Sequence, residues 1–193
     1  MRVKICGITR IQDALAAQRY GADAIGVVVC SDSPRCVELS TAGTIFSAIG
    51  PFMARVAVTH TSSLTELDAI LQLRPDAIQI SHPFILSEEN RGVRVLRVVG
   101  KDTVDLPACD AYVVDESRGS GIVYDPAFAR ALIARSRVPV ILAGGLTAEN
   151  VASAIAVIQP YAVDVASGVE TAPGVKDPAR IQAFIRACRE GYR

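Results

Sequence analysis

The chain has no tryptophan and only five phenylalanines and five tyrosines in 193 residues. So little aromatic surface disfavours a protein that stacks the bases of single strands. An excess of one charge is missing too: 20 basic and 20 acidic residues leave no formal net charge. That balance offers nothing to attract a nucleic acid or an acidic membrane. No apolar run approaches the roughly 18 residues a membrane helix needs. The opening Met1-Arg2-Val3-Lys4-Ile5-Cys6 is too short for a signal peptide and is interrupted by Lys4. These absences predict a cytoplasmic protein with no nucleic-acid or membrane partner. Two histidines and five cysteines without a CxxC pair make no metal-ligand pattern. An odd cysteine count without an export signal reads as reduced thiols, most of them small core hydrophobes. No linker, low-complexity tract or charge run divides the sequence, so residues 1–193 are expected to form one domain.

What is present is alternation. Half of the residues are hydrophobic, enough for a sizeable core. Short apolar runs at 3–6, 24–29, 55–59, 77–80, 94–99, 111–114, 138–142 and 162–165 read as strands. Several are continuous in apolar residues, as strands buried on both faces are. Between them, helical spacing predicts helices at 11–20, 41–49, 64–73, 84–90 (two turns at most), 126–136 and 149–158. A last helix closes the chain at 177–190, with Asp177 as N-cap and Pro178 in its first position. Gly21 stops the first helix, and Ser63 caps the third. Between 99 and 111, Gly100, Pro107 and three aspartates leave no room for a helix, so a loop is expected there. Eight strand–crossover units predict a closed parallel (β/α)8 barrel, compact against the usual length of about 250 residues. The competing doubly wound sheet lacks support, because no GxGxxG follows the first strand.

In such a barrel the loops after the strands' C-terminal ends build the active site. Cys6 and Gly7 follow strand 1, and Ser33-Pro34-Arg35 lies beyond strand 2. Gln79, Ser81 and His82 lie on and after strand 4, and Asp115 through Asp125 follow strand 6 with Gly119-Ser120-Gly121 among them. Gly144-Gly145-Leu146-Thr147 follows strand 7, and Ser167-Gly168 follows strand 8. Taken singly each has a plainer reading: Cys6 as a core thiol, Arg35 as a loop charge, Asp125 before Pro126 as a helix cap. Together they place a thiol, a carboxylate and an arginine on one rim. The glycine loops after strands 7 and 8 fall where these barrels hold phosphate, with backbone amides able to approach an anion. That set suits acid–base chemistry on a small phosphorylated anion.

These motifs resemble those of the phosphoribosylanthranilate isomerases of tryptophan biosynthesis. Lys4-Ile5-Cys6-Gly7-Ile8-Thr9 resembles the family's opening, and Gly21-Ala22-Asp23-Ala24-Ile25-Gly26 its entry to strand 2. Ser33-Pro34-Arg35, Gly119-Ser120-Gly121-Ile122-Val123-Tyr124-Asp125 and Ala143-Gly144-Gly145-Leu146-Thr147 follow in the family's order. Val163-Asp164-Val165-Ala166-Ser167-Gly168-Val169-Glu170 and Pro173-Gly174-Val175-Lys176-Asp177 are the most diagnostic stretches. The resemblance implies an Amadori rearrangement of an aminoaldose to an aminoketose, with no cofactor and no metal. It makes Cys6 the general base, Asp125 the general acid and Arg35 the partner of the anthranilate carboxylate. Gly144, Gly145, Ser167 and Gly168, helped by Gly121, would hold the phosphate, with Gly7 and Gln79 also lining the substrate. The protein is expected to work as a monomer or homodimer.

This sequence departs from the family pattern in places. His82 stands one residue later than the family's histidine, Arg97 replaces a strand 5 lysine, Pro126 replaces an aromatic residue, and Ala166-Ser167 replaces a double serine. These departures suggest a divergent member, of the archaeal type. Two other readings compete. A sister barrel would act on another phosphoribosyl amine or pentose phosphate, but the related histidine-pathway isomerase would carry a carboxylate where Cys6 stands. A non-catalytic sugar-phosphate binder would need neither Cys6 nor Asp125.

Overall fold

A computed structural model describes residues 1–86, 92–103, 106–115 and 124–191. Eight parallel strands close on themselves in sequence order: β1 (Arg2–Ile5), β2 (Ala24–Val28), β3 (Ala54–Thr59), β4 (Ala77–Ile80), β5 (Arg94–Val99), β6 (Ala111–Val114), β7 (Val140–Leu142) and β8 (Ala162–Val165). The seam joins β8 to β1, with Lys4 opposite Asp164 and Ile5 opposite Val165. Helices α1 (Ile11–Tyr20), α2 (Leu39–Ala48), α3 (Leu64–Leu71), α4 (Pro126–Arg135), α5 (Val151–Ile158) and α6 (Pro178–Glu190) fill the crossovers and close the chain. This is the (β/α)8 barrel that the alternation of the sequence predicts.

Alternation within each strand builds two apolar layers, because neighbouring side chains point to opposite faces. Val3, Ile5, Ile25, Val27, Ile78 and Val163 point outward and are buried under the helices. Val28, Val56, Val58, Val113 and Ile141 point inward and fill the bore with small alanines. In α6, Ile181, Phe184, Ile185 and Cys188 recur at helical spacing and form one buried stripe. Burying Phe184 alone removes about 1.5–3 kcal/mol worth of apolar surface from water.

The caps read from the sequence are present. Gly21 takes φ 89° after α1, and its amide bonds back to Ala17 and Gln18. Ser63 Oγ accepts from the Glu66 amide. Asp177 Oδ1 accepts from Ala179 and Arg180 at 2.8 and 3.3 Å.

Several boundaries differ from the sequence reading. Helix α2 starts two residues earlier than expected, after an extended Glu38. Helix α5 starts later, because Thr147 and Asn150 first make a side-chain-closed turn. In the expected helix at 84–90, residues 84–86 are not helical, and 87–90 lie outside the described residues. Between β5 and β6 the described residues hold no helix, in line with the expected loop. An unexpected feature follows β8. A 3-10 turn (Ser167–Val169) leads into an antiparallel hairpin of β9 (Glu170–Ala172) and β10 (Val175–Lys176). Gly174 turns this hairpin at φ 79°, and Thr9 Oγ1 bonds its carbonyl at 2.5 Å.

Candidate active site

A cleft opens at the C-terminal ends of the strands. Its wall holds Cys6, Gly7, Arg35, Gln79, Gly144, Gly145 and Ser167 from the sequence-predicted set. Gly168 stands behind the wall: a Cβ there would come within 2.0 Å of the Leu146 carbonyl oxygen. Only glycine lets the loops after β7 and β8 approach so closely. Gly144 and Gly145 both take positive φ, 91° and 63°, a pair of left-handed residues that turns the chain sharply at the cleft edge. Asn150 fixes that turn by donating to the Gly145 carbonyl and accepting from the Thr147 amide. Gly121 lies outside the described residues.

Cys6 follows β1, tied to β8 through its amide and the Val165 carbonyl at 2.8 Å. Its side chain is buried and points into the bore. Burial pushes the thiol above its ordinary value, and Asp164 adds to that effect; Lys4 and Lys176 pull it back down. Lys4 is itself buried and donates to Asp164 Oδ2 at 2.6 Å and to Gln79 Oε1 at 2.8 Å. Gln79, expected to touch substrate, therefore spends its carbonyl oxygen on Lys4. Burial works against the Lys4 ammonium, but Asp164 and Cys6 hold it above the ordinary lysine value.

Arg35 is buried, reached by a stem that crosses Gly7. A Cβ on Gly7 would lie 2.5 Å from Arg35 Cδ, so the glycine and the arginine require each other. Nε and Nη2 of Arg35 grip both oxygens of Glu170 at 2.8–3.2 Å. Glu170 also receives Lys176 Nζ at 2.7 Å, and Lys176 reaches the Ala166 carbonyl at 3.1 Å. Although burial opposes it, this pair of cations holds the Glu170 carboxyl below its ordinary range. One edge of the Arg35 guanidinium is thus fixed by the protein. Nη1 carries no hydrogen bond among the described residues and is available for a second carboxylate.

Asp125 does not join the cleft wall among the described residues. It is half-buried at the start of α4, where Oδ1 accepts from the Ala127 and Phe128 amides at 2.8 and 3.2 Å. That is the capping role its position before Pro126 implies. Among the described residues Oδ2 makes no hydrogen bond. His82 is exposed, stacks edge-on against Phe84 and is not among the described residues of the cleft wall. The histidine in the wall is His60, after β3, with Nδ1 2.7 Å from Ser31 Oγ. The sequence reading missed His60, Lys4, Asp164, Glu170 and Lys176. For Lys4 and Asp164 a signal existed: Asp164 is the one charge in β8, and Lys4 interrupts the apolar run at 3–6.

A closed (β/α)8 barrel with two glycine turns side by side, a buried thiol between lysines and an anchored arginine defines an enzyme of the class that works on small phosphorylated anions. Comparison with known proteins narrows the class. The model of the N-(5′-phosphoribosyl)anthranilate isomerase family matches residues 3–187. The chain is 60% identical over 191 residues to N-(5′-phosphoribosyl)anthranilate isomerase of Methanoregula boonei, covering 98% of this chain and 97% of that protein. It is similar in structure to phosphoribosylanthranilate isomerase from Thermus thermophilus, with a TM-score of 0.86, 35% identity and coverage of 98% and 99%. A phosphoribosylanthranilate isomerase solved with reduced 1-(o-carboxyphenylamino)-1-deoxyribulose 5-phosphate aligns with a TM-score of 0.80, 31% identity and coverage of 98% and 99%. The chain belongs to the N-(5′-phosphoribosyl)anthranilate isomerase family.

Proposed function

We propose that the chain converts N-(5′-phosphoribosyl)anthranilate to 1-(2-carboxyphenylamino)-1-deoxyribulose 5-phosphate, a step of tryptophan biosynthesis, with Cys6 as base and Asp125 as acid. The observation that carries the reading is Cys6 itself. It is a buried thiol in the cleft wall, next to the loop after β8 and two strand ends from the Gly144–Gly145 turn, the two places that would hold a phosphate. The sugar would lie across the bore, its phosphate at Gly144, Gly145 and Ser167. Its aromatic carboxylate would meet Nη1 of Arg35, whose planar fork suits a carboxylate.

Asp125 gives its proton to the ring oxygen, and the C1′–O bond breaks as the anthranilate nitrogen lends its electron pair to form an iminium. Cys6 thiolate takes the proton from C2′, and the C–H electrons flow back to the nitrogen, leaving an enolamine. Loss of the O2′ proton and gain of one at C1′ then give the ketone. The substrate's own nitrogen is the electron sink, so the scheme asks for no metal or organic cofactor. Oδ2 of Asp125 is the oxygen that would carry the proton, since Oδ1 serves the helix. No helix among the described residues is long and apolar enough to cross a membrane, and the protein is proposed to act in the cytoplasm on this small phosphorylated substrate.

Turnover of phosphoribosylanthranilate, followed by the change in anthranilate fluorescence, tests the assignment. No turnover by folded wild-type protein, or turnover undiminished in Cys6→Ala, would overturn it. A non-catalytic binder would hold the product analogue yet convert nothing. A sister isomerase would turn over another phosphoribosyl amine and leave this one untouched.

A further inference from the structure

A buried thiol is a poor base until something favours its thiolate, and the bore beneath Cys6 contains a candidate for that work. Lys4 on β1 stands two residues before Cys6, which continues the strand's alternation, so both side chains point into the barrel. Opposite them on β2 is Gly26. A Cβ there would lie 2.7 Å from Cys6 Sγ and 3.0 Å from Lys4 Cε. The thiol and the end of the lysine stem therefore share the one space that the missing side chain leaves. An ammonium has three donors. Asp164 Oδ2 and Gln79 Oε1 take two of them, at 2.6 and 2.8 Å, and fix the nitrogen in the bore. The third is left for the Cys6 thiol, which Lys4 also engages. Asp164 answers with only one oxygen: its Oδ1 is buried without a hydrogen-bond partner among the described residues.

We propose that Lys4 is the positioning cation for Cys6, held by Asp164 and Gln79 so that its remaining proton serves the sulfur whenever Cys6 is a thiolate. The inference rests on the reading of Cys6 as the base. Other charges face the same sulfur: Asp164 from β8 opposes the thiolate, and Lys176 from β10 supports it at longer reach. Arg35 lies beyond, its charge committed to Glu170. Lys4 acts most strongly among the cations and shares the bore with the thiol. Its partner Asp164 does two things at once, fixing the ammonium and tempering it.

The test compares Asp164→Asn with Lys4→Met/Asp164→Asn, both in the full chain with Cys30, Cys36 and Cys109 changed to alanine. Neither variant leaves a carboxylate buried alone. Cys188 remains, but burial pushes its thiol up to about 12, clear of the titration. Ultraviolet thiolate absorbance against pH gives the Cys6 midpoint, with Cys6→Ser as the blank. The midpoint should be higher in the double variant by about one to three pH units, the usual effect of a nearby opposite charge. The acid limb of kcat/KM should rise by the same amount, with KM little changed. An unmoved midpoint in folded proteins overturns the role of Lys4. A midpoint that moves while the acid limb stays put upholds the Lys4–Cys6 coupling and overturns Cys6 as the base. If Asp164→Asn fails to fold, wild type serves in its place. The double variant must then still titrate higher than wild type, and an equal or lower midpoint rejects the proposal.

Discussion

The two sides of the barrel secure themselves by different means. On the β7–β8–β1 side, helices α5, α6 and α1 cover the strands, and charges meet charges across long stretches of sequence. Lys4 pairs with Asp164, and Glu170 gathers Arg35 and Lys176. On the β4–β6 side, the described crossover residues hold no helix. There Phe84 is buried against the outer face, with Leu86, Leu106 and Cys109 packed beside it. Arg97, a buried cation, donates to the carbonyls of His82 and Phe84, and its Nε has no hydrogen-bond partner among the described residues. Tyr112 reaches the Pro107 carbonyl at 2.9 Å. Backbone carbonyls there occupy the place that carboxylates hold on the other side. The difference teaches where charge is invested: the side that carries Cys6 is charge-paired across the seam, whereas the β4–β6 side is clipped by backbone carbonyls.

Mutation can sharpen that contrast. The largest effect should come from the reacting pair. Cys6→Ala and Asp125→Asn should each lower kcat by about two to four orders of magnitude, the usual worth of a placed base or acid. Asparagine caps a helix as well as aspartate does, so Asp125→Asn should change stability by less than about 0.5 kcal/mol. Urea unfolding beside steady-state kinetics would separate the two roles. A large stability loss in Asp125→Asn would mean that capping alone explains the residue.

Glu170→Gln comes next. It leaves Arg35 and Lys176 buried without their shared carboxylate and should cost about 3–5 kcal/mol in urea unfolding. Because Glu170 is held low in the folded chain, its contribution is complete above the ordinary carboxylate range and is lost as pH falls from there through its own lowered value. The variant should therefore lose less stability than wild type between neutral and acid pH. An identical pH dependence in both proteins would remove Glu170 from the account.

Arg35→Ala should reduce kcat/KM by roughly one to two orders of magnitude, through the loss of charge-assisted bonds of about 1.5–3 kcal/mol. Inhibition by inorganic phosphate should hardly change, and wild-type kinetics would exclude Arg35 from substrate binding. On the opposite side, Arg97→Met should unfold about 1–3 kcal/mol more easily, because two carbonyls lose their donor. Its kcat/KM should stay within about twofold of wild type. A catalytic defect there would end the distinction between the two sides.

Much of the fold was legible because parallel strands buried on both faces read as apolar runs, and because Gly21, Ser63 and Asp177 mark helix ends by local rules. The hairpin of β9 and β10 was not, since its strands are short and its hold on the rim comes from Thr9 and from the Arg35–Glu170–Lys176 network. The helix read at 84–90 had apolar spacing at its start, yet residues 84–86 follow the loop that Arg97 clips. In the candidate site, glycine turns and Arg35 announce themselves by motif. Glu170 does not, because its partners are 135 residues earlier and six residues later. Cys6 was legible as a candidate, but its electrostatic setting was not: strand register brings Lys4 and Asp164 together, and register between the first and last strands is a property of closure.

That closure bears on how the protein comes into being. Lys4 and Asp164 stand 160 residues apart, and the bond between them spans the seam of β1 and β8. The same rim needs Lys176 from beyond the last strand. A ribosome-bound chain that has not yet released β8 and β10 holds Cys6 in an open, wet edge, with no paired lysine beneath it and no anchor for Arg35. Contacts of such long separation are among the slowest to form. Refolding chains should therefore regain helix well before they regain turnover, and the first catalytic cycle would report the arrival of the final strand.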